Sequence, residues 1–120
     1  MMKALALAVI VMCLLHRVAS AEDFSSGKFY LPHCERVLNA PTEAPMAGGA
    51  CVEAVQMLMY VGDQILPQVS VCTPREATVS EGLRILVQFM KGHPELLHKS
   101  LEFLTVVALH NAWPCKRDKQ

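Results

Sequence analysis

Four cysteines in a short chain with an export signal constrain this fold more than any other feature. The first 21 residues carry one early positive charge, Lys3, then an apolar run from Ala4 to Leu15, and close on Ala19-Ser20-Ala21. That order is the order of a secretory signal, whose peptidase admits only small side chains around the cut. Residues 1–21 are therefore expected to be removed as a signal peptide. Cys13 lies within them, and Met12 stands where a lipoprotein signal needs a small residue, which argues against lipidation. The apolar run is too short to span a bilayer, and no second long run follows it. Residues 22–120 remain, 99 in number, which suits one domain with a modest core. They hold Cys34, Cys51, Cys72 and Cys115, an even set in a setting where disulfides persist.

Apolar spacing along the mature chain is helical throughout, and no alternating strand pattern appears. Tyr30, Leu31, Cys34, Val37 and Leu38 mark a first short helix. Pro32 falls within it, so the helix either starts near Leu31 or kinks there. Asn39–Gly49, with two prolines and two glycines, reads as a loop. Ala50–Leu66 carries a broad apolar stripe and is stopped by Pro67. Gln68–Ala77 is a second loop. Thr78-Val79-Ser80-Glu81 is a capping box, and Val79, Leu83, Leu86, Val87 and Met90 follow at helical spacing until Gly92. His93-Pro94-Glu95 is expected to open the last helix, which Trp113-Pro114-Cys115 ends. The expected fold is all-α: a small four-helix domain over residues 22–120, with room for a further short helix, stapled by disulfides.

Helix order selects among the three pairings that four cysteines permit. Cys34 closes the first helix and Cys51 opens the second, so a hairpin brings them together. The last helix returns Cys115 to the start of the third, which Cys72 precedes. The expected bonds are Cys34–Cys51 and Cys72–Cys115, each worth roughly 3–4 kcal/mol in the chain-entropy model.

Several function classes are disfavoured on the residues alone. Setting aside Lys3 and Arg17 leaves nine basic against eleven acidic side chains, a net charge of −2 with His neutral. The one basic cluster, Lys116, Arg117 and Lys119, is interrupted by Asp118, so neither nucleic acid nor an anionic membrane is an expected partner. Mature His33, His93, His98 and His110 fit no metal-ligand spacing with each other or with the cysteines, and no cofactor is expected. Each cysteine has a structural partner and no serine sits in a nucleophile elbow, so the chain reads as a binding protein, not an enzyme. His93 reads as a polar cap before Pro94, His98 as an exposed residue one turn into the last helix, and His110 as a partner of that helix's C-terminal dipole. Each of the last two helices has a second apolar stripe, for which a homodimer is one use.

Cys72-Thr73-Pro74, the Thr78 cap, Gly92-His93-Pro94-Glu95, His98 and Ala112-Trp113-Pro114-Cys115 together resemble the Rap/Tai family of type VI secretion immunity proteins. Ser26-Gly27, Cys34 and Cys51 resemble its N-terminal half. Two departures are Pro32 inside the first helix and the stretch Val52–Met57, where the family is richer in glycine. The resemblance implies a small periplasmic, often dimeric protein that inhibits a peptidoglycan amidase effector by occluding its active site. Candidate contact elements are the loop Ala40–Gly49, with Pro45 and Met46, and the corner Gly92–Glu95, with His93, Glu95 and nearby His98. The competing reading is a periplasmic helical protein with a structural or envelope-stress role and no toxin partner, since a shared fold does not fix a shared function.

Overall fold

A computed structural model describes residues 23–43 and 46–116. Four helices carry the architecture: α1 Gly27–Asn39, α2 Met46–Val61, α3 Val79–Gly92 and α4 Leu101–Ala112. Three short 3-10 turns, Pro41–Glu43, Gly62–Gln64 and Pro94–Leu96, lie in the connections. Among the described residues there are no strands, only isolated bridges between Ser26 and Ser100 and between Val71 and Pro114. The chain is thus an all-α, disulfide-stapled domain. The expected signal peptide, residues 1–21, and Pro45 lie outside the described residues.

Three of the four helix starts carry a local side-chain cap. The Ser26 hydroxyl accepts the Phe29 amide at 3.3 Å and caps α1. At α3 the capping box closes in both directions: the Glu81 amide donates to Thr78 Oγ1 at 3.2 Å, and the Thr78 amide donates to Glu81 Oε2 at 2.9 Å. Ser100 caps α4 by accepting the Phe103 amide at 3.2 Å.

Three boundaries differ from the sequence expectation. First, α1 starts at Gly27 and not near Leu31, so Pro32 lies inside the helix. Pro32 and Lys28, the residue one turn earlier that loses its amide partner, are both exposed, so water can replace the missing donor. Second, α2 begins at Met46, so Met46–Gly49 are helical and not loop. Gly48 is buried there, and tertiary burial outweighs the roughly 1 kcal/mol by which glycine disfavours a helix. Third, the last helix starts at Leu101 rather than at Pro94. The intervening carbonyls are taken by the start of α1: the Gly27 amide donates to Lys99 O at 2.8 Å and the Lys28 amide to Leu97 O at 2.9 Å. Two orphan donors of one helix end are thereby satisfied by the segment that would otherwise have continued another helix.

Both disulfides are present as Cys34–Cys51 and Cys72–Cys115. Cys34 sits within α1 and Cys51 within α2, each further inside its helix than the sequence suggested. They belong to the core, with Val55, Leu86, Met90, Leu104 and Leu109. Each large aliphatic side chain so enclosed contributes roughly 1.5–3 kcal/mol. Glycines stand at three close approaches, the tightest at Gly27, where a Cβ would run into Leu104 of α4. A Cβ on Gly82 would stand 2.6 Å from Val55 Cγ1, so α3 lies tight against α2. A Cβ on Gly62 would stand 2.7 Å from Val71 Cβ and 2.9 Å from the Val71 carbonyl oxygen, so the chain after α2 folds back in direct contact with itself.

Candidate functional site

The connection from α3 to α4 forms a corner whose shape is fixed by its own hydrogen bonds. His93 ends α3, and Pro94–Leu96 turns the chain. The Leu96 amide donates to His93 O at 2.9 Å, and the Lys99 amide donates to Leu96 O at 2.9 Å. The His93 ring stacks on Phe89, with centroids 4.2 Å apart and an interplanar angle of 27°. Its Nδ1 lies 2.8 Å from Phe89 O. A carbonyl only accepts, so this bond places the proton on Nδ1 and holds the ring against α3. His93 therefore caps the end of α3 with its side chain instead of capping the turn that follows.

His98 is held in the same way, with Nδ1 donating to Glu95 O at 2.9 Å. It stands in the turn before α4, not one turn into that helix. Glu95, His98 and Lys99 are exposed on the corner, and Lys99 Nζ lies 5.4 Å from the Phe103 ring centroid. The fold brings His93, Glu95 and His98 together on one preformed element. Met46 belongs to a different one, the first residue of α2, where it is 94% exposed.

Two surfaces escape a reading of the sequence alone. On α2, Met57 and Tyr60 are exposed one turn apart, away from the buried Cys51, Val55 and Leu58, and Leu66 beyond the helix is exposed as well. Their absence from the buried stripe is the signal that could have found them. At the other end of α3 an open groove of about 440 Å³ is formed by Pro74, Ala77, Arg84, Ile85, Gln88 and Trp113 among others. It depends on Trp113 reaching α3 from the chain end, which no local pattern announces.

Ionisable groups are spread thinly. Glu35 and Lys91 form a 3.5 Å ion pair between α1 and α3, exposed enough to be worth at most about 1 kcal/mol. Hydrogen bonds from the Ser25 hydroxyl and amide hold the Asp23 carboxyl below its ordinary pKa. His110, expected at the helix dipole, instead donates from Nδ1 to Ser70 O at 2.7 Å and ties α4 to the loop before α3. Among the described residues no group of three or more His, Cys, Asp or Glu side chains is placed to hold a metal ion. The corner and the α2 face are thus two exposed surfaces, the first shaped by its own hydrogen bonds.

One family model, described as Rap1a immunity proteins, matches residues 26–115. The match begins at the cap of α1 and ends at the last cysteine, so it takes in all four helices and both disulfides. No curated protein and no solved structure matches the chain.

Proposed function

Because the chain belongs to the Rap1a family of immunity proteins, we propose that it protects its own cell by binding a peptidoglycan amidase effector and occluding that enzyme's active site. The family match over the whole described helical body is the observation that carries this reading. The role is inhibitory, not catalytic. Occlusion needs an element whose shape is set before the partner arrives, because ordering it on contact would subtract from affinity. The α3–α4 corner supplies such an element, with Glu95 and His98 outermost and His93 locked behind them. Met46, the first residue of α2, makes the second contact together with Pro45, its neighbour in sequence.

The reading places the protein in the periplasm, delivered by the signal peptide, where cell-wall amidases act and disulfides persist. Among the described residues no helix is long and apolar enough to cross a membrane. In this proposal the working form is a homodimer, joined through the apolar residues left uncovered on α2 and through Phe103 of α4, which is 44% exposed.

The test is a pull-down from periplasmic extract with the oxidised mature protein as bait, mass spectrometry of what is retained, and an assay of the captured enzyme on peptidoglycan. We expect an exported amidase bound at nanomolar strength and inhibited, with Glu95→Arg and His98→Glu each weakening capture at least tenfold. Recovery of the bait alone, from cells shown to make an amidase effector, would sink the proposal.

A further inference from the structure

We propose that Cys72–Cys115 is a reducible clasp, opened by a dithiol reductant while Cys34–Cys51 stays closed and the helices stay folded. This goes beyond the immunity reading and does not depend on it. Thiol–disulfide exchange needs a thiolate to reach a sulfur, so access decides which of two bonds reacts. Cys34 and Cys51 are each 0% exposed, enclosed in the core between α1 and α2. Cys72 is exposed and Cys115 half-buried, beyond the end of α4.

The atoms balance with the reductant alone. One thiolate of the dithiol attacks Cys72 Sγ, the Cys72–Cys115 bond breaks, and Cys115 leaves as a thiolate that takes up a proton. The reductant's second thiol then attacks the mixed disulfide and releases Cys72. The protein gains two electrons, and the dithiol becomes a disulfide.

Opening has a defined local consequence. The disulfide holds the chain end beside the loop after α2, where the Cys72 amide donates to Trp113 O at 2.8 Å and Val71 bridges Pro114. Trp113 in turn lies over Gly82, where a Cβ would be 3.6 Å from its ring, and forms one wall of the groove beside Ile85 and Arg84. The anchor from His110 to Ser70 is independent of the clasp, so α4 keeps its place while the segment after Ala112 is released. Reduction therefore unlocks one wall of the groove without dismantling the core beneath it.

Trp113 is the single tryptophan of the chain, so its fluorescence reports the event. The experiment treats the oxidised full protein with graded dithiothreitol, traps free thiols by alkylation and reads the peptides by mass spectrometry. Tryptophan fluorescence and far-UV circular dichroism are followed in parallel. We expect Cys72 and Cys115 to be alkylated together at least tenfold faster than Cys34 and Cys51, with fluorescence changing in step and helicity retained. Equal rates for the two pairs, or loss of helicity as Cys72 opens, would overturn the proposal. In the double variant Cys72→Ala/Cys115→Ala, dithiothreitol should no longer move the fluorescence. A persisting response there would assign the signal to the buried pair and refute the clasp.

Discussion

Cys34–Cys51 lies inside the α1–α2 contact with neither cysteine exposed, whereas Cys72–Cys115 ties the loop after α2 to the chain end with Cys72 in solvent. The buried bond spans a sequence separation of 17 and the outer bond one of 43. On loop closure alone the outer bond should matter more, about 4 against about 3 kcal/mol. The buried bond adds packing, because its sulfurs fill core volume that nothing else occupies. One staple acts mainly on the unfolded chain, and the other on both states.

The comparison breaks or holds first on paired substitutions. Cys34→Ala/Cys51→Ala should cost about 5 kcal/mol, the loop contribution plus roughly 1 kcal/mol for each buried sulfur lost. Cys72→Ala/Cys115→Ala should cost no more than about 4 kcal/mol. Urea unfolding would separate them further: the outer pair should raise the denaturant slope more, since freeing the longer loop expands the unfolded chain more. A larger slope change for the inner pair would reverse the assignment.

Next comes Gly62→Ala, on the outer side. Its Cβ would press on Val71 backbone next to Cys72, and overpacking of this kind costs about 1–3 kcal/mol. A neutral result in thermal melts would mean that the loop against Gly62 is loosely held. On the inner side, Pro32→Ala should stabilise by about 1–2 kcal/mol. It returns an amide to the exposed face of α1, and the gain is partly offset by a more flexible unfolded chain. If Pro32→Ala destabilises, the proline is serving the packing of α1 against α2 in a way its exposure does not suggest. Smallest is Thr78→Ala, which removes the cap of α3 and should cost about 1 kcal/mol, read as a lower midpoint at unchanged slope.

What the sequence made legible follows the range of the forces involved. The capping box at Thr78 and the stripe of α3 are local, and both appear at the residues expected. Both disulfide partners could be named because hairpin order is a coarse property that survives errors at the helix ends. The helix ends are less legible, since the starts of α2 and α4 depend on contacts remote in sequence, the burial of Gly48 and the capture of the Leu97 and Lys99 carbonyls by α1. Pro32 leaves the start of α1 open in the sequence, because the cost of an internal proline depends on which face of the helix it occupies, and only the packed molecule assigns that. At the candidate site, His93, Glu95 and His98 could be read as one corner since they adjoin in sequence. The roles of their rings could not, because the Nδ1 bonds to Phe89 and Glu95 depend on side-chain geometry. The groove is a meeting of Trp113 with α3, and nothing near either announces the other.

The bonds from Gly27 and Lys28 to Lys99 and Leu97 also make one helix end depend on a remote segment. Two amides at the start of α1 have their acceptors beyond α3, so neither half of the described domain closes that turn by itself. A protein cut after α3 would leave both amides to water. The first helix among the described residues is thus finished by the segment that leads into the last.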